Sequence, residues 1–182
     1  IFNSLNTLIY LIITNPLKAE LYVEEMSTVY RYLLTKNEKE LTTLKEELSF
    51  LDSYLSMLRI RFENALNINL NADERSQEYL LPPFVLQLLI ENAVKHNIIS
   101  KSSPLNISIY TDDQKNLHVE NNMQLKSQRE ASEQKGLANI MLRYSLLNMR
   151  NGLHISRDDG FFKVTLPLIK TNIYATPHLL TD

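Results

Sequence analysis

The sequence predicts an α+β fold, with an N-terminal helical hairpin followed by a two-layer α/β sandwich built on a mixed sheet. Three observations predict it. Residues 1 to about 66 carry apolar side chains at helical spacing. From Leu66 onward, short runs alternate apolar and polar residues, as half-buried strands do. Between those runs lie two longer stretches of helical period, 81–97 and 135–148, giving the order strand, helix, strand, strand, helix, strand, strand. Consecutive strands late in the chain imply antiparallel pairing, with the helices on one face of the sheet.

The helical region begins with Ile1, Leu5, Leu8 and Ile12 on one stripe. Pro16 interrupts it as a kink or short break, and Ala19, Val23, Met26, Tyr30 and Leu33 resume a stripe. Thr35–Thr42, TKNEKELT, is a polar connection. Thr43 and Glu46 form a capping box. After it Leu44, Leu48, Leu51, Leu55, Leu58 and Phe62 step by four and three, an a/d seam. Two helices alone cannot bury both sides of their seams, whereas a four-helix bundle from two chains can. A homodimer through Leu44–Phe62 is therefore expected, the alternative being a hairpin packed on its own downstream region.

In the second region Leu66, Ile68 and Leu70 alternate with Asn67, Asn69 and Asn71. Pro82-Pro83 is expected to start the helix LPPFVLQLLIENAVKHN, Leu81–Asn97. NISIY (Asn106–Tyr110) and LHVE (Leu117–Glu120) read as strands joined by the polar turn TDDQKN. The hydrophilic stretch Gln124–Lys135 reads as a loop or lid. Gly136 is expected to open a helix whose apolar side carries Leu137, Ile140, Met141, Tyr144 and Leu147. Leu153–Ser156 and Phe162–Leu166 are the last strands, around the turn Arg157–Gly160. The expected organisation is a helical region, 1–66, a sandwich domain, 67–170, and a tail, 171–182.

Composition excludes several functions. A formal charge of -2, a pI near 6.1 and no basic stripe disfavour direct nucleic-acid binding. With no cysteine there is neither a disulfide framework nor a Cys-based metal site. The longest apolar run, Leu8–Ile13, is far short of the roughly 20 residues that a spanning helix needs. Three glycines rule out a Walker-type loop. The chain opens mid-pattern at Ile1 without a signal peptide, as a piece of a longer protein would.

Glu91, Asn92, Lys95 and His96 share one arc of the 81–97 helix. Neighbouring Asn and Glu side chains offer hard oxygens, and Mg²⁺ commonly takes one or two of these besides phosphate. A lysine one turn on can meet phosphate as a point charge. The arc thus has the parts of a Mg-nucleotide site without a glycine loop. The same spacing also describes the solvated face of an amphipathic helix.

LPPFVLQLLIENAVKHN resembles the N box of sensor histidine kinases of the LytS/YehU type, a proline-started helix ending in ENAxKH. IFNSLNTL is similar to the second half of that family's phosphoacceptor motif, PHFxFNSLN. YRYLL with LKEELSFLDSYLSMLRIRF, and KGLANIMLRYSLL, resemble two further blocks of the family, in the same order. The resemblance covers most of the chain and implies a GHKL (Bergerat-type) ATPase sandwich that binds ATP and Mg²⁺ under a lid. It implies that Asn92 ligates the metal and that Glu91, Lys95 and His96 act beside the metal and phosphates. Asn121, Gly136, Leu137 and Asn139 fall at its nucleotide-binding positions. It further implies a homodimer, and phosphoryl transfer first to a histidine two positions before Ile1. The phosphoryl group then passes to the aspartate of a response regulator, commonly of the LytTR type. The parent protein would be membrane-anchored, with this region in the cytoplasm. None of His96, His118, His154 and His178 matches the acceptor, so this chain is not expected to phosphorylate itself on the family's usual residue.

The glycine boxes depart from the family pattern. Asn121 stands where an Asp accepts the adenine amino group, which leaves an uncharged acceptor and a weaker contact. Met123 replaces a glycine. Gln134–Asn139 keeps only Gly136, whose helix-start N–H groups are a natural phosphate seat, although a turn that binds nothing has the same spacing. Two readings follow, a working kinase or a degenerate one that acts as a dimeric scaffold with weak or no nucleotide binding. Arg59, Arg61 and Arg143 are placed outside the site, as solvated or paired residues.

Overall fold

The computed structural model describes residues 2–36, 39–126, 133–149 and 153–170. Half of the expected lid, at 127–132, and the expected tail with His178 lie outside the described residues.

Helices α1 (Phe2–Thr14) and α2 (Pro16–Lys36) part at Asn15, because Pro16 brings no N–H to continue α1. Asn15 Oδ1 then accepts the Lys18 N–H at 3.1 Å and caps α2, with proline at its first position. Thr42–Thr43 forms strand β1, and α3 (Leu44–Phe62) begins where the capping box puts it, with Thr43 Oγ1 accepting the Glu46 N–H at 3.1 Å. Next come β2 (Leu66–Asn71), β3 (Leu80–Leu81), α4 (Val85–His96), β4 (Leu105–Thr111), β5 (Asn116–Asn122), α5 (Glu133–Leu146), β6 (His154–Asp158) and β7 (Phe161–Pro167).

The main sheet is mixed, in the order β2-β4-β5-β7-β6. Its one parallel pair, β2 with β4, needs a crossover, and α4 lies on that connection. The later pairs are antiparallel, as the late run of strands implies. Leu105, Ile107 and Ile109, Leu117 and Val119, and Val164 and Leu166 point to one face and are buried there under α4 and α5. A second small sheet pairs β1 with β3 and ties the start of α3 to the approach of α4.

On the sheet's other face His118 bridges two strands. One ring nitrogen meets Thr165 Oγ1 at 2.9 Å, and the other meets Asp112 Oδ2 at 2.8 Å. Burial raises the Asp112 carboxyl, but the Asn116 backbone and side-chain N–H groups and His118 outweigh it and hold it at about 2.

Three expectations are corrected. First, the a/d seam of α3 is not free for a partner chain. Leu44, Leu51, Leu55 and Leu58 are buried in the same core as α4, α5 and the sheet. A seam of that width finds a nearer apolar surface in its own chain. The adjacent stripe of α3, Phe50 and Met57, packs instead on Leu11, Tyr22 and Val29 of the first two helices. Exposed apolar side chains lie instead on α1 and α2, where Ile13 and Leu17 are 80% and 76% exposed, and on α5 at Leu142 and Leu146. Second, α4 starts at Val85, after the prolines, because Phe84 takes a left-handed φ of 67°. Third, α5 starts at Glu133, so Gly136 is its fourth residue rather than its opening; Glu, Gln and Lys are good helix formers and extend the helix backwards.

Candidate functional site

Helix α4 is a partition between two cavities, and it is held at both ends. Pro82 and Pro83 have no N–H, and no side chain of the Phe84 cap closes the helix start. Glu47, fully buried on α3, does so from a distance. Its Oε1 accepts the Phe84 N–H at 2.9 Å and the Tyr32 hydroxyl of α2 at 3.2 Å. Burial raises the Glu47 carboxyl above its ordinary range, against the pull of hydrogen bonds from the Phe84 backbone and Tyr32. The Tyr32 ring stacks on Phe50 at 4.1 Å and meets Phe84 edge-on at 5.7 Å. Arg143 of α5 donates to the Pro83 carbonyl at 2.8 Å.

At the other end the carbonyls of Ala93, Lys95 and His96 find donors. Asn97 Nδ2 donates to the Ala93 carbonyl at 2.8 Å while its Oδ1 accepts the Gln124 N–H at 2.6 Å. Lys126 donates its N–H to the His96 carbonyl at 3.1 Å and its Nζ to the Lys95 carbonyl at 2.7 Å.

The first cavity, about 670 Å³, is lined by Asn92 and His96 of α4, Asn121 of β5, Leu137 and Met141 of α5, and Phe162 of β7, among others. Its floor is mostly apolar. Asn121, Phe162 and Arg157 are direct register partners across β5, β7 and β6, and the Arg157 guanidinium lies 5.4 Å from the Phe162 ring centre. Asn121 spends its donor on the Asn122 carbonyl at 2.8 Å. Asn92 Nδ2 is buried without a hydrogen-bond partner.

The second cavity, about 640 Å³, lies on the other side of α4, against α3. Tyr54 and Arg61 of α3, Glu91 and Lys95 of α4, and Lys126 line it. Glu91 Oε1 accepts from Gln87 Nε2 at 3.0 Å and from the Tyr54 hydroxyl at 3.4 Å. Asn97 borders both cavities.

The polar arc of α4 is therefore divided, with Asn92 and His96 on one cavity and Glu91 and Lys95 on the other. Asn121 and Leu137 stand with Asn92. Gly136 supports the site from behind, since a Cβ there would lie 3.0 Å from both Nδ2 and Oδ1 of Asn92. Asn139 is exposed, does not line this cavity and accepts from Arg143 Nε at 3.3 Å. The sequence reading missed Arg157, Phe162, Tyr54 and Glu47. Strand register alone brings Arg157 and Phe162 beside Asn121. Glu47 did leave a signal, being three residues after Leu44 and four before Leu51, an acid on the apolar seam itself.

Among the described residues no three His, Asp or Glu side chains gather to hold a metal. A cation at Asn92 would have one amide oxygen from the protein, after a half-turn of the side chain, and would complete its shell with water and phosphate. That is the habit of Mg²⁺. The buried amide without a partner and the cavity volume both fit a Mg-nucleotide.

Residues 1–66 match the family model described as histidine kinase. The chain is 34% identical over 118 residues to the sensor histidine kinase/phosphatase LytS of Staphylococcus aureus strains Mu50 and N315, an overlap of 65% of this chain and 20% of LytS. The matched region thus spans about a fifth of these relatives' length. Two solved structures overlap more loosely. The histidine kinase AdeS of Acinetobacter baumannii is 17% identical, with a TM-score of 0.43 over 82% of this chain and 78% of its own. The histidine kinase domain of the Erythrobacter litoralis EL346 blue-light activated kinase is 15% identical, with a TM-score of 0.45 over 83% and 75%.

Proposed function

We infer that this chain, a relative of the LytS-type sensor histidine kinases with the family's match in its first 66 residues, is the kinase core of a two-component sensor. In this reading it binds Mg-ATP, and the γ-phosphate goes to a histidine and then to a response-regulator aspartate. The observation that carries it is the buried Asn92 amide without a partner on the wall of a nucleotide-sized cavity. Asn92 would hold the metal and His96, on the same wall, would meet phosphate. Asn121 Oδ1 would accept the adenine amino group, and Leu137 would cover the base. Glu91, oriented by Gln87 and Tyr54, is the group to take a proton from the accepting imidazole, with Lys95 beside it. When bound, Mg²⁺ supplies charge neutralisation to the phosphates, so positioning is most of what the protein must add.

The partner chain of a homodimer would sit on α1 and α2, and a response regulator, of the LytTR type in this reading, would be the second partner. No helix among the described residues is long and apolar enough to cross a membrane. Membrane anchoring would then belong to other parts of the parent protein, leaving this region in the cytoplasm.

One observation favours the scaffold reading. Asn121 offers no charge, and no carboxylate lines the first cavity. Calorimetric titration with a non-hydrolysable ATP analogue, with and without Mg²⁺, separates the two. Mg-dependent binding supports the kinase; no binding up to millimolar analogue leaves the dimeric scaffold.

A further inference from the structure

The second cavity is unlike the first in charge. Arg61, Lys95 and Lys126 line it, against the single carboxylate of Glu91, an excess of two positive charges. Arg61 stands on the last turn of α3, its guanidinium 4.6 Å from the Phe62 ring centre, and no carboxylate among the described residues pairs with it. Its side chain is thus held against an aromatic face, while its donor fork stays available for an oxyanion.

The two cavities meet at the C-terminal end of α4, where Asn97 borders both. That end of a helix carries partial negative charge and would ordinarily repel phosphate. Here it is blunted. Asn97 Nδ2 covers the Ala93 carbonyl, the Lys126 N–H covers that of His96, and the Lys126 ammonium sits on that of Lys95. A phosphate chain leaving the Asn92 wall would round this end past the Ala93, Lys95 and His96 carbonyls, which already hold donors, and the cations lie beyond it.

We propose that the cavity between α3 and α4 receives the terminal phosphate of the nucleotide and that Arg61 binds it. The proposal rests on the nucleotide reading of the first cavity and extends the site to a residue of the helical region. The base and the metal-bound phosphates stay on the Asn92 side; the last phosphate lies on the Glu91 side, where a phosphoryl acceptor has room to approach. The packing of the α3 seam on the sandwich domain, rather than on a second chain, is what brings Arg61 within reach.

The test is a titration series on the whole chain, with adenosine monophosphate, diphosphate and a non-hydrolysable triphosphate, each with Mg²⁺. Wild type should gain affinity at the third phosphate. Arg61→Ala should weaken the triphosphate about tenfold and leave the monophosphate unchanged, and Arg61→Lys should recover part of the loss because it keeps the charge. Lys126→Ala, outside α3, should show the same selective loss, which guards against a folding defect in the Arg61 variant. An Arg61→Ala chain that binds all three nucleotides as wild type does, or weakens all three equally, overturns the proposal while the nucleotide site stands. A wild type that binds none of the three overturns the nucleotide site and this inference with it.

Discussion

Gly136 of α5 abuts the side-chain amide of Asn92 on α4, so closely that a Cβ at 136 would stand 3.0 Å from both its nitrogen and its oxygen. The glycine is inside a helix, where alanine is ordinarily better by about 1 kcal/mol. Gly136→Ala sets that gain against displacement of the Asn92 amide, so thermal stability should change by no more than about 1 kcal/mol. The displaced Asn92 amide should lower Mg-dependent affinity for an ATP analogue by about tenfold, the scale of one good hydrogen bond or ligand contact. Calorimetry and a melting curve on the same sample check both halves.

Asn92→Ala should abolish the Mg²⁺ dependence of analogue binding and leave the circular dichroism spectrum unchanged, because the amide makes no hydrogen bond through Nδ2 that the fold would miss. Unchanged affinity in this variant would remove Asn92 from the proposed metal site.

Glu47 gives a pH signature. Its native carboxyl holds a proton to higher pH than the ordinary 4.5, because it is buried. Its contribution to stability is therefore complete below pH 4.5 and is lost as pH rises through the native value. Glu47→Gln should flatten that part of the pH–Tm curve while keeping an acceptor for Phe84. Glu47→Ala should cost on the order of 2–4 kcal/mol, since it leaves a buried N–H unmet and a cavity.

Asp112 should behave oppositely. Its carboxyl is held at about 2, below the ordinary 3.8, so its contribution is present above pH 3.8 and is lost as pH falls through 2. Asp112→Asn should remove that acid-side loss, read as the pH dependence of Tm between 2 and 4.

The proposed dimer surface lies on the exposed apolar residues of α1 and α2. The double substitution Ile13→Asp with Leu17→Asp should give a folded monomer in light scattering. Leu51→Ala, in the seam first expected to make the dimer, should instead lower stability by about 2–5 kcal/mol without changing association of the folded chain. A dimer that survives the double substitution would put the interface elsewhere.

Much of this architecture is legible in the sequence because the signals are local. The five strands of the main sheet follow from two-residue alternation, and the start of α3 follows from Thr43 and Glu46. The start of α4 is not legible, because its cap comes from Glu47, 37 residues away. The destination of the α3 seam is equally hidden, since the same heptad suits a second chain or the chain's own sheet. At the site, helical spacing groups Glu91, Asn92, Lys95 and His96, but only packing shows that they face two cavities. Asn139 lies on the exposed side of α5, a distinction that a motif match does not make.

The Glu47 cap bears on how the molecule is assembled and how it can be divided. Residue 66 is a boundary in the rhythm of the sequence, yet the leucines before it and the strands after it share one interior. A fragment beginning at residue 67 would lack both those leucines and the acceptor for the Phe84 N–H, so its α4 would fray from the first turn. During synthesis α3 emerges before α4, and must wait for it with an apolar flank and a buried-to-be acid still in water. The proposed nucleotide site is then complete only when the helical region is docked against α4.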